Sequence, residues 1–170
     1  MAHIAHAAGV SRPALYQYFS DKDDIFAAAF AGVFEEHVER SLAALNKASA
    51  PKDALANMLQ RFEGDLWELT SSSPHHQELL QAKSSAVAAA VGVEVVRLWN
   101  AVSDYLASQA PGRGAARIAR RSEWLDVLRG SPPGLRLDSP TVDVFRQRLN
   151  ALARAVSADL TAEVSSARRR

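Results

Sequence analysis

Polar and aromatic side chains able to recognise another molecule are concentrated near the N-terminus, between Ser11 and Tyr18. On a short helix they would form an outward surface that is unusual for contact with water alone. Arginine can pair with guanine and glutamine with adenine, while hydroxyl groups can reach phosphate oxygens. The segment therefore predicts contact with a DNA duplex, with Lys22 adding positive charge. The outward set is Ser11, Arg12, Ala14, Tyr16, Gln17 and Tyr18.

Two short helices joined by a tight turn are predicted to hold this surface. The first covers residues 2–8 and ends at Gly9, which permits a sharp turn. Ser11 is an N-cap candidate for the second helix, Pro13 falls in its first turn, and the helix runs to about Phe19. Apolar side chains would pin the pair at a steep angle, as in a helix-turn-helix. These side chains are Ile4, Ala8, Val10, Leu15 and Phe19.

The segment from Ile4 to Lys22 reads Ile-Ala-x-Ala-Ala-Gly-Val-Ser-x-x-x-Leu-Tyr-x-Tyr-Phe-x-x-Lys. It resembles the DNA-binding signature of the TetR/AcrR repressor family. The resemblance covers about residues 4–26, and the remainder is similar to the family only in its helical layout. It implies phosphate contacts by Ser11, Tyr18 and Lys22. It also implies base or phosphate contacts by Arg12, Pro13, Ala14, Tyr16 and Gln17.

The resemblance further implies a mode of action. Family members are homodimers that place one reading head on each half of an operator in double-stranded DNA. A small apolar or amphipathic effector would enter the helical core, tilt the helix that begins at Lys22, and change the separation of the two heads. The expected activity is a DNA-binding transcriptional regulator, a repressor released by its ligand.

The start of the chain departs from the family pattern. Family members usually carry a helix before this motif that packs across it and touches phosphate, whereas Met1 falls after the place where that helix would end. We prefer the interpretation that the upstream part is missing because of the choice of start codon or of expressed segment. The other interpretation is that the protein has lost tight DNA binding. The chain as given is expected to bind its operator weakly, because Ile4, Ala8 and Leu15 lack a covering helix.

Helical spacing continues beyond this motif, and strand signals are nearly absent. Ser20 with Asp23 three residues later predicts the start of a long third helix that reaches about Lys47. Ser49 and Pro51 open a fourth helix, which closes at residues 71–74. Its predicted inner stripe is Leu55, Leu59, Phe62, Leu66 and Leu69.

Three further helical segments are predicted, over about residues 75–109, 115–129 and 141–164. Pro132 and Pro133 are expected in a loop, because proline does not continue a helix. The last segment repeats apolar residues at steps of three and four, close to a coiled-coil seam. The last two helices are therefore expected to pair with their copies as a four-helix dimer interface. Its expected residues are Ile118, Leu125, Leu128, Phe145, Leu149, Leu152 and Val156.

The predicted architecture is all-α, with a helix-turn-helix over residues 1–28 that lacks its usual first helix. A helical ligand-binding and dimerisation domain covers residues 29–170. Side chains that are candidates for a ligand cavity are Phe34, His37, Met58, Phe62, Trp67, Trp99 and Tyr105. Most of them are equally consistent with an ordinary core. Trp67 falls off the inner stripe, so it is expected at a pocket wall or an interface.

Composition restricts the alternatives. The chain contains no cysteine, which excludes disulfides and thiolate chemistry and fits a reducing cytoplasm. The net charge is only +1, so DNA binding must come from a local patch. The longest apolar run, residues 86–93, is far shorter than the roughly 20 residues of a membrane-spanning helix. The N-terminus lacks the pattern of a secretory signal.

Other chemistry has little support in the sequence. His3 with His6, and His75 with His76, are interpreted as exposed helix residues rather than metal ligands. No nucleophile elbow or phosphate-binding glycine loop is present, so neither an enzyme nor a cofactor is expected. The main alternative is a helical dimer that binds a small molecule or a protein partner and has lost tight DNA binding.

Overall fold

Helices dominate the chain, which confirms the all-α prediction. The computed structural model describes residues 1–48, 50–72, 85–109 and 114–167, and no strand occurs within them. None of the helices in these ranges has the length and apolar content needed to cross a membrane. The His75–His76 pair and the predicted start of the helical segment at about residue 75 lie outside the described residues. The helices are α1 (Ala2–Ala7), α2 (Arg12–Tyr18), α3 (Lys22–Lys47), α4 (Pro51–Leu59), α5 (Asp65–Ser71), α6 (Ser85–Gln109), α7 (Ala115–Leu137) and α8 (Val142–Ala167).

The long helix α3 connects the N-terminal pair of helices to the rest of the chain. It begins one residue later than the predicted capping box of Ser20 and Asp23. The Asp21 carboxylate accepts a hydrogen bond from the Asp24 amide at 2.9 Å, and the Asp24 carboxylate accepts one from the Ser20 amide at 3.0 Å. The Asp21 carboxylate thus satisfies an amide of the first turn, and the Asp24 carboxylate holds the residue before the cap, so that together they fix where α3 starts.

The core lies between α3, α4, α6, α7 and α8. Apolar residues at steps of three and four on each helix place one stripe per helix toward this centre. Leu55 and Leu59 on α4, Leu98 and Val102 on α6, and Leu149 on α8 are fully buried. Other members of the same cluster include Phe34, Val38, Leu45, Met58, Phe62, Trp99, Leu106, Trp124, Leu128, Phe145, Ala153, Val156 and Leu160.

A π-helical turn, Gln60–Gly64, separates α4 from α5. A single extra residue in a helix rotates everything after it by about 100° relative to an unbroken α-helix. The predicted inner stripe is correct as far as Leu66, which is partly buried against the core, and wrong at Leu69, whose exposed fraction is 49%. Trp67 turns inward instead, and its ring meets that of Phe145 edge-on at 4.8 Å between centroids.

Polar side chains hold the π-helical turn against α8. The Gln60 amide donates to the Arg146 carbonyl at 2.7 Å and to the Asn150 side chain at 2.9 Å. Arg146 donates back to the Gln60 side-chain oxygen at 3.0 Å, to Asp65 at 2.8 Å and to Glu68 at 2.6 Å. A Cβ at Gly64 would lie 2.8 Å from the Arg146 guanidinium. Glycine at this position thus lets the arginine approach the turn.

The helix α7 runs through Pro132 and Pro133, so the loop predicted there is wrong. Each proline removes one backbone hydrogen bond, but its φ angle is close to that of a helix. Pro132 is buried, and Leu135 packs against the core one turn later. Arg148 of α8 also donates to the Leu135 carbonyl at 3.4 Å and to the Ser139 hydroxyl at 3.0 Å. Tertiary packing thus outweighs the local preference of proline.

The apolar seam of α8 packs inside the chain itself. Leu128, Phe145 and Leu149 are fully buried, and the exposed fraction of Val156 is 4%. Side chains already covered by their own chain are unable to form a surface between two copies, so the interface prediction is wrong for these four residues. Three-and-four spacing does not distinguish packing within a chain from packing between chains. Of the other predicted interface residues, Leu125 and Leu152 are partly buried and Ile118 is 52% exposed.

The rotation introduced by the π-helical turn predicts unequal effects of two substitutions. Trp67→Ala should lower the free energy of unfolding by about 2–4 kcal/mol, because it empties a site against Phe145. Leu69→Ala, the matched control, should change it by less than about 0.5 kcal/mol because its side chain is half-exposed. Urea denaturation followed by circular dichroism measures both. A larger loss for Leu69→Ala would mean that an unbroken α-helix prevails in solution.

Candidate nucleic-acid interface

The turn between α1 and α2 closes with a Schellman motif. The amide of Val10 donates to the Ala5 carbonyl at 3.0 Å, and the amide of Gly9 donates to the His6 carbonyl at 3.1 Å. Gly9 has a φ of +66°, in the left-handed region that glycine adopts without steric cost. The sharp turn predicted at Gly9 is thus built from backbone hydrogen bonds that satisfy the last carbonyls of α1.

The start of α2 is fixed by Ser11. Its backbone is extended, and its hydroxyl oxygen accepts a hydrogen bond from the Ala14 amide at 3.2 Å. Pro13 lies in the first turn, where a missing amide hydrogen costs nothing. The Ser11 hydroxyl hydrogen remains able to donate to another group. These features agree with the cap predicted from the sequence.

The two helices have an inner side and an outer side. Ala5 on α1 and Leu15 on α2 are buried, with exposed fractions of 3% and 7%. Ile4 and Phe19 are half-buried, whereas Ala8 and Val10 are exposed, so the predicted apolar set is only partly inside. A small inner contact of this kind fixes the orientation of α2 and leaves its other side open.

Most of the predicted DNA-contacting side chains share the open side of α2. Tyr18 is 81% exposed, and Tyr16 is 44% exposed. The structure places Ala14 half-buried at the edge of this surface. The remaining members are all exposed, namely Ser11, Arg12, Pro13 and Gln17 on or next to α2 and Lys22 at the start of α3.

Arg12 and Tyr16 form a pair on this surface. The Arg12 guanidinium carbon lies 5.6 Å from the centre of the Tyr16 ring, within the range of a cation–π contact. One guanidinium nitrogen is also 3.5 Å from the Tyr16 hydroxyl oxygen. Because the ring supports the guanidinium, less side-chain entropy is lost when Arg12 binds a partner.

The charge around α2 is locally positive. Residues 1–20 contain Arg12, His3 and His6 but no aspartate or glutamate. The first carboxylates downstream are Asp21, Asp23 and Asp24, of which Asp21 and Asp24 are engaged in the cap of α3. His3 and His6 are exposed, and no group of three side chains that could hold a metal ion occurs in the described ranges.

The predicted ligand residues lie in three settings. Met58, Phe34, Phe62 and Trp99 are core residues, and the last three rings form a chain of edge-on contacts at 6.3 Å. Trp67 and Tyr105 are half-buried against the same core, and burial raises the pKa of the Tyr105 hydroxyl. His37 lines a groove with residues of α5. A ligand role for the set remains a prediction.

Polar contacts between distant helices, such as those of Arg97 and Arg146, were not foreseen from the sequence. Arg97 on α6 forms ion pairs with Glu39 on α3 and with Glu94 one turn before it. Arg146 joins α8 to Asp65 on α5. Burial alone would raise the pKa of Asp65, but hydrogen bonds from Arg146 and Arg61 outweigh it and lower that pKa. Both pairs join residues far apart along the chain, so local spacing carries no signal for them.

Comparison with known proteins bears on the N-terminal helices. Residues 1–29 match the family model described as bacterial regulatory proteins, tetR family. The match covers α1, α2 and the first residues of α3, which are the elements that build the exposed surface described above. A search of curated proteins gave no match to the chain. The helix-turn-helix of this chain is thus similar to the DNA-binding region of the tetR family of bacterial regulatory proteins.

Proposed function

We propose that the protein is a transcriptional repressor that binds operator DNA as a homodimer and is released by a small-molecule effector. The observation that carries the proposal is the exposed surface of α2, where Tyr16, Gln17 and Tyr18 are all exposed while Leu15 is buried. Large aromatic side chains are seldom exposed to water unless they contact a partner. These side chains also carry hydrogen-bond donors for the phosphate and base acceptors of a DNA duplex.

Different side chains on α2 would contact different parts of the duplex. Arg12, supported by Tyr16, and Gln17 contact base edges in the major groove. Ser11, Tyr18 and Lys22 contact phosphate oxygens and set the position of α2 on the backbone. Pro13 and Ala14 lie at the start of the helix, where small side chains allow a close approach. Direct base contacts therefore come from two residues, five positions apart on one short helix.

Two copies of α2 would be held together through α7 and α8. Ile118 is exposed on α7, and Leu125 and Leu152 retain partial exposure, so these three remain the proposed interface residues. A twofold dimer presents two identical reading heads, which suits an operator with two related half-sites. The regulator would act in the cytoplasm, where the bacterial chromosome lies.

Effector control would act through α3. This helix begins beside the DNA-binding surface at Lys22 and ends in the core, where Val38 and Leu45 are buried. A ligand that moves the middle of α3 would change the position of its first turn and of α2. A coupling of about 1–3 kcal/mol would change operator affinity about 5- to 150-fold.

The proposal is tested by selecting binding sites from a random DNA library with the purified chain. Enrichment of a sequence with two related halves is expected, followed by a mobility shift on that duplex. A protein that enriches no sequence would instead be the helical dimer without DNA binding that the sequence left as the alternative.

Lys22→Ala should weaken DNA binding equally for all sequences, because a phosphate contact carries no sequence information. The slope of log Kd against log salt concentration should fall by about 1, since one phosphate contact is lost. Fluorescence anisotropy across a salt series measures the slope. Lys52→Ala, which removes an exposed lysine on α4, is the control and should leave the slope unchanged.

Gln17→Ala should change which DNA sequences bind best. Loss of a bidentate contact to a base reduces discrimination at that position by about 1–3 kcal/mol. Repeating the site selection with the variant measures the preference, and Gln147→Ala on α8 is the matched control. A variant that loses the same affinity for every sequence would show that Gln17 does not read a base.

A further inference from the structure

His37 lies in the middle of α3 and is 6% exposed. Its Nδ1 atom is 3.1 Å from the Val33 carbonyl oxygen, which only accepts hydrogen bonds. In the neutral ring Nδ1 therefore carries the hydrogen, and Nε2 is an acceptor. Nε2 is buried and has no hydrogen-bond partner among the residues that the structure describes. Leaving such a group unsatisfied costs about 1–3 kcal/mol, so its retention calls for a reason.

The same side chain lines a groove of about 500 Å³ between α3 and the α5 segment. Val33 and Leu69 supply its apolar surface. Leu69 is the residue that the π-helical turn rotates away from the core, and it is half-exposed here. A leucine in this position is an apolar wall that is not locked into the core packing.

The charges around the groove disfavour anions. Three carboxylates line it, from Glu36, Asp65 and Glu68, against the single cation of Arg40. Arg40 is paired with Glu36 at 2.6 Å, and Arg146 reaches Asp65 and Glu68 from α8. The cations present are thus already engaged by these carboxylates. A ligand with its own carboxylate or phosphate would meet like charge without an unengaged cation among the lining residues.

We infer that this groove is the effector site, and that it takes a small, uncharged, mainly apolar molecule whose hydroxyl or N–H group donates a hydrogen bond to His37 Nε2. This inference rests on the proposed function and specifies its ligand. Leu69 moves to admit the molecule to the ring. Val33 and His37 are one turn apart on α3, so a bound molecule presses on the helix that leads to the DNA-binding surface.

Phenol, anisole and benzoate test the inference as matched probes. Phenol has an apolar ring and one donor, anisole replaces the donor hydrogen by a methyl group, and benzoate adds a negative charge. Binding to the full chain without DNA is measured by NMR titration of ¹³C-labelled histidine, with the His37 signal assigned from its variants. Phenol should bind roughly in the millimolar range. Anisole should bind about 5- to 10-fold more weakly, and benzoate weaker still.

Variants at His37 separate hydrogen bonding from shape. His37→Phe keeps the ring but removes the acceptor, so phenol and anisole should then bind equally. His37→Gln keeps an acceptor and should retain part of the preference for phenol. His6→Phe, at an exposed histidine on α1, is the control and should change nothing. Circular dichroism shows that each variant is folded before it is compared.

Three results of the binding measurements would overturn the inference: no saturable phenol binding, equal binding of phenol and anisole to the unaltered chain, or benzoate binding as tightly as phenol. None of these measurements uses DNA, so they succeed or fail independently of the repressor function. Adding phenol to the protein–DNA complex then tests the link between the two. Release of DNA by phenol that is lost in His37→Phe is expected, and release that persists in this variant would place the effector site elsewhere.

Discussion

Burial of one face of α3 is the interaction on which the rest of the structure depends. Val38 and Leu45 are covered by α4 and α6 in the core, while the first turn of the same helix carries Lys22 beside the DNA-binding surface. A straight helix transmits displacement along its length because its backbone hydrogen bonds resist bending. The packing of α3 in the core therefore determines the position of α2, although α2 contributes little to the core itself.

The π-helical turn determines which side chains face the groove and which face the core. Without the extra residue, Leu69 would face the core and Trp67 would face away. With it, Trp67 packs on Phe145, and Leu69 becomes part of the groove beside His37. Arg146 and Gln60 stabilise this arrangement from α8 with hydrogen bonds that offset the weaker geometry of the turn. An irregular turn in a helix thus creates the side chain arrangement that a ligand would need.

The sequence predicted those features that depend on neighbouring residues. Gly9, Ser11 and Pro13 specify a turn and a cap within a few residues, and the structure agrees with all three. The outward placement of Tyr16 and Gln17 follows from the same short helix, whose register is set by the cap and by Leu15. Neighbouring residues were sufficient to predict these features because each interaction joins residues within about one turn of helix.

The errors concern interactions that neighbouring residues do not determine. Pro132 is a strong local signal for a loop, yet burial between helices keeps it within α7. Spacing on α8 showed an apolar stripe at Phe145 and Leu149 but not which helix covers it, and the chain's own core does so. The shift at Leu69 needs one extra residue in a turn, and that turn is fixed by Arg146 from far along the chain.

The weak anchoring of the α1–α2 pair has a consequence for regulation. Its buried apolar residues in the described chain are chiefly Ala5 and Leu15, which is a small contact compared with the core around α3. A unit held by so few contacts follows the helix to which it is joined, because the Asp21 and Asp24 caps tie the end of α2 to the start of α3. The α1–α2 pair is therefore easier to displace than the part of α3 that is packed in the core. Under the proposed effector control, a ligand would need to shift only α3, and the attached helices would move with it at little additional cost in free energy.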